Sequence, residues 1–141
     1  LNLIDWLRQW ANTDEERKED FIRGFLGKMI FSGDEALKSC RVLSGGEKVR
    51  CMLSKTMMEE SNFLLFDDPT NHLDLETITA LNNSLIKFKG NIILTTQDYE
   101  FANSVGNRVF ELGPKGYIDK LMKFEDYLAD EKVKEQRDLI Y

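Results

Sequence analysis

The segment 43–74 limits what this chain can fold into more than any other part of the sequence. It begins with the residues LSGGEKVR and ends with LLFDDPTNHLD, and helix-forming residues separate the two motifs. Ser44 and Glu47 have the spacing of a capping box, which predicts that a helix begins there. The apolar residues of this helix recur at the spacing of a single face, which comprises Val49, Met52, Leu53, Thr56 and Met57.

Two glycines lie in the first turn of the predicted helix. Gly45 and Gly46 carry no Cβ, so another molecule can approach their backbone closely. A helix N-terminus with unpaired N–H groups suits a phosphate. The same residues can also do no more than cap the helix, and their spacing alone does not decide between the two interpretations.

A run of apolar residues at positions 63–66 precedes two aspartates. Such a run is typical of a strand that is buried on both faces in a parallel sheet. Asp67 would then orient Mg²⁺, and Asp68 would activate or position an attacking water, as in nucleotide-hydrolysing enzymes. Two acidic residues at a strand end are a weak signal on their own, but the LSGGE motif shortly upstream makes the pattern specific.

The composition is that of an ordinary soluble domain, since 42% of the 141 residues are hydrophobic and 31% are charged. No apolar run approaches the ~20 residues that span a bilayer, and no signal pattern opens the chain, so we expect a cytoplasmic location. The net charge of −6 argues against nucleic-acid binding by this piece alone. Cys40 and Cys51 are expected to be reduced core thiols, and a zinc site is excluded because His72 is the only histidine.

Residues 1–60 are predicted to form a helical subdomain that ends in the helix with the glycine pair. Its first helix would bury one face made of Leu3, Trp6, Leu7 and Trp10. Thr13 and Glu16 have the spacing of a second capping box, which predicts that the next helix begins there.

Residues 61–141 alternate between strand and helix patterns. The predicted strands are 63–66, 92–95, 109–112 and 117–119, and the predicted helices are 75–87, capped by Asp74, then 98–104 and a polar C-terminal helix over 124–141. Strand and helix in alternation imply βαβ crossovers and a parallel sheet. This region is predicted to be the C-terminal part of a RecA-like ATPase core.

At these motifs the sequence resembles a known family. LSGGEKVR, FDDPTNHLD and the later TTQD resemble the signature, the Walker B segment with its D-loop, and the switch segment of an ATP-binding cassette. PTNHLD and a signature that reads LSGGEK resemble the F class (ABC-F), whose members are soluble and act on the ribosome. Over nearly its whole length the chain is similar to the C-terminal part of the second cassette of bacterial members with two cassettes. The resemblance implies an α/β fold, a partial ABC ATPase domain with a helical subdomain followed by a short, mostly parallel sheet with flanking helices.

The resemblance also implies roles for individual residues. ATP held by the opposing cassette would meet the signature residues Ser44, Gly45, Gly46 and Glu47. The D-loop, which crosses the interface between the cassettes, would consist of Asn71, His72, Leu73 and Asp74. His72 can also be interpreted as purely structural. Asp67 matches the family's Mg²⁺-binding aspartate.

Two residues depart from the family pattern. Asp68 stands where a catalytic glutamate is usual, and it is one methylene shorter, which sets its carboxylate back from the water-positioning place. Gln97 stands where a switch histidine is usual, and it can donate a hydrogen bond but cannot carry a proton or a charge. We therefore expect ATP hydrolysis at this site to be slow or regulatory.

No phosphate-cradling P-loop of the form GxxxxGK[ST] occurs in the sequence. The nearest approach, residues 24–29, has the wrong spacing and lies in a helical pattern. The chain is therefore expected to be a fragment that starts inside the helical subdomain, does not bind ATP and Mg²⁺ tightly alone, and is inactive by itself. Its sheet edges would lack partners, which predicts self-association.

In the parent protein the expected partners are ATP, the other cassette of the same polypeptide and the ribosome. Two other interpretations stay open. The chain can belong to the ATP-binding subunit of a membrane transporter, although PTNHLD speaks against this. It can also be a non-enzymatic interaction module with no turnover of its own.

Overall fold

A computed structural model describes all 141 residues. They form two compact units, Leu1–Leu94 and Thr95–Tyr141. The first contains α1 (Leu3–Leu7), α2 (Glu19–Lys28), α3 (Gly45–Met58), β1 (Phe63–Asp67), α4 (Leu75–Ile86) and most of β2 (Asn91–Thr95). The second contains α5 (Tyr99–Val105), β3 (Val109–Gly113), β4 (Gly116–Lys120), α6 (Phe124–Ala129) and α7 (Glu131–Ile140). The predicted end of a helical subdomain at residue 60 lies inside the first unit and stays a prediction.

The core of the first unit starts in α1, which Asn2 caps by accepting a hydrogen bond from the Asp5 N–H at 2.8 Å. Its buried side chains are Leu3, Ile4 and Leu7. The predicted face is correct for the two leucines, whereas Trp6 and Trp10 are only half-buried. For Trp10 the reason is that α1 ends at Leu7 and the chain continues as a 3₁₀ turn, Arg8–Trp10, which changes the direction of the later side chains.

The second predicted capping box forms only one of its two hydrogen bonds and starts no helix. The Thr13 hydroxyl accepts from the Glu16 N–H at 3.2 Å, and the Glu16 carboxylate accepts from the Asn12 N–H at 2.7 Å. These bonds close a turn, after which the extended backbone of Lys18 interrupts the chain before α2 begins at Glu19. The predicted helix start at Thr13 is therefore wrong.

The predicted apolar face of α3 is correct only for Leu53. The buried residues are Cys51, Leu53, Ser54 and Met58, and the exposed ones include Val49 and Met52. The helix contacts α1, α2 and α4, and these neighbours select the face that is buried. Ser54 is compatible with that face because its hydroxyl donates to the Arg50 carbonyl at 3.0 Å.

The two cysteines are free thiols, as predicted, but only one belongs to the core. Cys51 is buried, and burial raises the pKa of its thiol to about 12. Cys40 is only half-buried. A thiol with a raised pKa carries little thiolate at neutral pH, so Cys51 acts as a small apolar side chain.

β1 and β2 pair in a two-stranded sheet. The Asn91 N–H donates to the Asn62 carbonyl at 2.8 Å, so the starts of both strands lie side by side and the strands run in the same direction. With α4 between them they form the predicted βαβ crossover. Burial on both faces is not observed, because Leu64 is buried while Phe63 and Leu65 are 49% and 72% exposed.

In the second unit, β3 pairs antiparallel with β4 in a hairpin, with Gly113 opposite Gly116 at the turn. β3 is therefore not the third parallel strand that the sequence predicts, since the GPKG turn directs its hydrogen bonds to the next strand instead. The predicted C-terminal helix is interrupted at Asp130, whose side chain caps α7 by accepting from the Val133 N–H. The hairpin and the two last helices enclose a core of Ile118, Tyr127, Val133 and Ile140. No helix of the chain has both the length and the apolarity that crossing a bilayer requires.

Candidate functional site

The N-terminus of α3 is built as the sequence predicts. The Ser44 hydroxyl accepts from the Glu47 N–H at 3.2 Å, and the Glu47 carboxylate accepts from the Ser44 N–H at 2.8 Å. Both halves of the capping box are therefore present, and they fix the direction in which the first turn points. Ser44 itself is exposed to solvent.

A lysine that no sequence pattern indicated also contacts the N-terminus of α3. The Lys38 ammonium donates to the second oxygen of Glu47 at 2.7 Å, and the carboxylate of Glu35 lies 3.5 Å from the same ammonium. The hydrogen bond from Lys38, followed by that from the Ser44 N–H, lowers the pKa of Glu47 to about 2. The hydrogen bond with Glu47 is also the main reason why the pKa of Lys38 is raised.

Gly45 and Gly46 occupy ordinary helical positions in the first turn. Neither has a positive φ, and a Cβ placed on either residue would meet no atom of this chain within 4 Å. Both residues are exposed. Nothing in the chain itself therefore requires glycine here, although each glycine costs the helix roughly 0.5–1 kcal/mol relative to alanine.

The carboxyl end of β1 carries the two predicted acidic residues. Asp67 is the last residue of the strand and is exposed, and Asp68 follows it with a φ of 48°. A positive φ is uncommon outside glycine, although aspartate tolerates it better than most residues. Residues held in such conformations cluster at functional sites, so the strained backbone of Asp68 is consistent with its predicted role in the site.

The predicted D-loop connects β1 to α4 in two tight turns. The Asn71 N–H donates to the Asp68 carbonyl, and the Leu73 N–H donates to the Thr70 carbonyl, both at 3.2 Å. His72 lies on the exposed side with a φ of 61°. A left-handed backbone conformation such as that of His72 is common in turns, and the hydrogen bonds of the two turns set the shape of this loop.

Asp74 ends the D-loop and caps α4, as predicted, by accepting from the Thr77 N–H at 2.8 Å. Its contact with Thr77 is the main reason why the pKa of Asp74 is lowered, and the charge of Arg50 on α3 contributes to the same shift. The guanidinium of Arg50 lies over the Phe31 ring at 4.9 Å. The helix with the glycine pair and the end of the D-loop are thus electrostatically connected through Arg50.

Gln97 belongs to the second unit. It is exposed in the short loop between β2 and α5. The neighbouring Asp98 caps α5 by accepting from the Phe101 N–H at 2.9 Å, and its own N–H donates to the Thr96 hydroxyl at 3.1 Å. The backbone on either side of Gln97 is therefore anchored, while its amide faces solvent.

The structure also describes the stretch nearest in sequence to a phosphate-binding loop and the arrangement of the metal-ligating side chains. Residues 24–29 continue a helix, since α2 runs from Glu19 to Lys28, so this stretch is not a phosphate-binding loop. No group of three or more histidine, cysteine, aspartate or glutamate side chains in the 141 residues is arranged to hold a metal ion. A metal at Asp67 would thus need ligands from elsewhere.

Similar proteins agree with the motifs. The family model described as "ABC transporter" matches residues 2–71. The "Uncharacterized ABC transporter ATP-binding protein YkpA" of Bacillus subtilis is 52% identical over 141 residues. These residues are 100% of this chain and 26% of the length of YkpA. The chain is part of an ABC ATPase domain.

Other relatives of this ABC ATPase segment are more distant. YbiT of Escherichia coli O157:H7, a "Probable ATP-binding protein", is 39% identical over 133 residues, which are 94% of this chain and 25% of its own length. The "ATP-binding protein Uup" of Buchnera aphidicola is 32% identical over 117 residues, 83% of this chain and 20% of its own length. The ABC ATPase segment thus spans about a quarter of the length of these relatives.

Solved structures show the same fold. The ATP-binding cassette MJ0796, in a dimeric post-hydrolysis state with ADP and Pi, gives a TM-score of 0.57 at 20% identity, over 78% of this chain and 51% of that one. The archaeal ribosome recycling factor aABCE1, in complex with ribosomal stalk protein aP1, gives a TM-score of 0.63 at 19% identity, over 97% of this chain and 32% of that one. The predicted fold class, a partial ABC ATPase domain of α/β type, is confirmed.

Proposed function

We propose that this ABC ATPase segment belongs to a soluble ABC-F type protein, as the C-terminal part of its second cassette. The parent protein would bind and hydrolyse ATP at the interface between two cassettes, in the cytoplasm. Support comes from the PTNHLD sequence of the D-loop and from relatives such as YbiT and Uup, whose printed names describe ATP-binding proteins.

The observation that carries this proposal is the glycine pair. Gly45 and Gly46 weaken α3, and neither the backbone conformation nor local crowding requires them. Their remaining physical use is close approach by a group outside this chain. The capped helix end offers N–H donors and a partial positive charge, so that group is an anion, and we assign it to the γ-phosphate of ATP on the opposing cassette.

The remaining site residues take roles that match their positions. Asp67 fits Mg²⁺, because this ion keeps several waters and needs one or two carboxylates together with phosphate oxygens, and an exposed carboxylate at a strand end is such a ligand. When bound, Mg²⁺ would neutralise charge that develops on the phosphate. Asp68 would position the attacking water and Gln97 would donate to the γ-phosphate, while the D-loop contacts the other cassette.

Alanine substitution tests the proposal directly. Gly46→Ala introduces a methyl group that meets nothing in this chain, so we expect it to stabilise α3 by about 0.5–1 kcal/mol. In the parent protein the same methyl group would obstruct the nucleotide, so we expect ATP turnover to fall at least tenfold. Turnover is measured as phosphate release, and the free energy of unfolding by denaturant titration.

Gly24→Ala provides the matched control. Gly24 also lies in a helix and its Cβ would also meet no atom within 4 Å, but it is remote from the signature in sequence. We expect this variant to gain stability with unchanged turnover. If Gly46→Ala kept full turnover, the proposed approach of a phosphate to this helix would be wrong.

The ribosome is proposed as the target of the parent protein on the strength of the PTNHLD and LSGGEK sequences. Sedimentation through a sucrose cushion tests this. We expect the parent protein to pellet with ribosomes when ATP is held unhydrolysed and to stay in the supernatant with ADP. Equal pelleting in both nucleotide states would contradict a nucleotide-driven action on the ribosome.

A transporter subunit is the second candidate, because the printed name of YkpA includes the words ABC transporter. Stable co-purification of the parent protein with an integral membrane partner would favour it over the ABC-F assignment. For the isolated chain we propose a third outcome, no tight ATP binding and no turnover, because residues 24–29 form no phosphate loop. Saturable ATP binding by the 141-residue chain at micromolar concentration would contradict this.

A further inference from the structure

We propose that Lys38 is the counter-ion that allows a glutamate to stand in the first turn of the phosphate-contacting helix, and that it thereby positions Ser44. The inference rests on the proposed function, in that Ser44, Gly45 and Gly46 are taken to meet a nucleotide phosphate. It adds a residue outside every motif of the sequence, and it names the physical reason why that residue is needed.

The need for a counter-ion arises from two opposing effects of one carboxylate. Glu47 lies in the first turn of α3, where the helix dipole favours a negative charge. The same helix end is proposed to receive a phosphate, which is also negative. An uncompensated carboxylate there would stabilise the helix and repel the ligand.

The contacts of Glu47 resolve this conflict. One carboxylate oxygen accepts from the Ser44 N–H at 2.8 Å, and the other accepts from the Lys38 ammonium at 2.7 Å. Both oxygens are therefore occupied, and only 12% of the side chain is exposed. The ammonium supplies a positive charge beside the carboxylate, and this offsets the repulsion that an approaching phosphate would meet at Glu47.

The position of Lys38 is itself fixed by the core. Its carbonyl accepts from the N–H of the fully buried Leu3 at 3.1 Å, and its own N–H donates to the Glu35 carbonyl at 3.1 Å. The orientation of Ser44 thus depends on Glu47, and that of Glu47 depends on a lysine anchored to α1. The Glu35 carboxylate, at 3.5 Å, is the other acidic group beside the ammonium.

Four variants of the parent protein test the inference by the ATP concentration that gives half-maximal turnover. We expect Lys38→Met to raise this concentration about tenfold, the worth of one charge-assisted hydrogen bond, with a smaller effect on the maximal rate. Lys38→Arg keeps the charge and should stay close to the parent. Glu47→Gln removes the negative charge but keeps an oxygen that can accept from the Ser44 N–H, so it is the reference for the double substitution.

The decisive variant is the double substitution Lys38→Met with Glu47→Gln. Because the charge that needed compensation is gone, the half-saturating ATP concentration of the double variant should lie within about twofold of that of Glu47→Gln alone, a difference well below that of one charge-assisted hydrogen bond. If Lys38 had only a structural role, the double variant would stay as impaired as Lys38→Met. The reason is that a methionine side chain forms no hydrogen bond with an amide or with a carboxylate. Lys134→Met, which breaks an exposed ion pair with Glu131 on α7, is the control and should leave turnover unchanged.

The outcomes separate the two proposals. If the double variant is as impaired as Lys38→Met, or if Lys38→Met is unimpaired, the role of Lys38 is overturned while the proposed function stands. If Gly46→Ala retains full turnover, the proposed function fails whatever Lys38 does. A thermal unfolding curve for each variant identifies any that fail to fold. If Lys38→Met fails to fold, Lys38→Arg, which retains the ion pair, is compared with Lys134→Met instead. Reduced ATP affinity of Lys38→Arg would count against a charge role.

Discussion

Two residues that follow β1 have polar side chains on a backbone of unfavourable conformation. Asp68 and His72 both have positive φ angles, of 48° and 61°. Strain of this kind costs of order 1 kcal/mol or more at each position and persists only where the surroundings enforce it. The turn hydrogen bonds between Asp68 and Asn71 and between Thr70 and Leu73 are part of that enforcement.

The residue Asp68 gives the first prediction. In the parent protein we expect Asp68→Glu to raise ATP turnover about tenfold or more, because the longer side chain reaches the water that a general base must contact. Gln97→His should raise it further and make it depend on pH near 6.5, where histidine titrates. Phosphate release is the measurement, Asp20→Glu on exposed α2 is the control, and unchanged rates in both variants would refute the hypothesis of a slow site.

The residue Glu47 gives a pH prediction. Its pKa is about 2, below its ordinary value of 4.5, chiefly because Lys38 donates a hydrogen bond to it. A carboxyl with a lowered pKa stabilises the fold above about pH 4.5 and loses that contribution as the pH falls toward about 2. Glu47→Gln should therefore lower the free energy of unfolding near pH 7 and make progressively less difference below about pH 4.5. Denaturant titrations of both proteins across this range check the convergence, and a constant difference would contradict it.

At the scale of helices and strands, the ends that are fixed by residues close in sequence were predictable. The cap of α3 and the cap of α4 each involve residues three apart, so local spacing identifies them. The buried face of α3 depends instead on its packing against α1, α2 and α4, and an apolar stripe chosen by periodicity missed the buried Ser54. β3 likewise carries a strand pattern that does not specify its partner.

The same distinction applies to the candidate site. The motifs predicted the positions of Ser44, Asp67, Asp68 and Asp74 correctly, because each lies at the end of a helix or strand with a recognisable pattern, while their roles stay predictions. Lys38 was missed, because its contact with Glu47 spans nine residues and Lys38 itself directly follows a short 3₁₀ helix, Gly33–Leu37, which has no apolar periodicity. The positive φ of Asp68 could not be foreseen either, since no glycine marks that position.

The β3–β4 hairpin gives a prediction about packing. A Cβ on Gly113 would lie 2.6 Å from the carbonyl oxygen of Ile140 and 2.9 Å from its Cγ1, so the turn of the hairpin leaves no room for a side chain there. We expect Gly113→Ala to lower the free energy of unfolding by about 1–3 kcal/mol, the usual cost of overpacking. Denaturant titration measures it. Gly24→Ala, where space is open, should change stability in the opposite direction, and a neutral Gly113→Ala would show that α7 can move aside.

At the scale of the whole molecule, an apolar sheet face stays in contact with water. Phe63, Leu65 and Ile93 on β1 and β2 are each about half exposed or more, with values of 49%, 72% and 56%. Exposed apolar strands of this kind favour pairing with further chains. The sequence predicted self-association from unpaired sheet edges, and these exposed apolar residues are a surface through which it can occur.

Light scattering on the isolated 141-residue chain tests that expectation. We expect a mass above that of a monomer, increasing with protein concentration, and we expect Leu65→Lys to reduce it because a charge on an exposed strand opposes pairing. Leu121→Lys, at an exposed position of the second unit outside any strand, is the control. A strict monomer at high concentration would refute the prediction.

The glycine pair of α3 also sets a limit on how this protein can be improved. Alanine at either position would strengthen the helix without touching any other atom of the chain. Selection for heat resistance alone would therefore favour replacing the residues on which nucleotide contact is proposed to depend. Resistance to heat and catalysis would then compete for the same two positions, and a durable variant is better sought at Gly24.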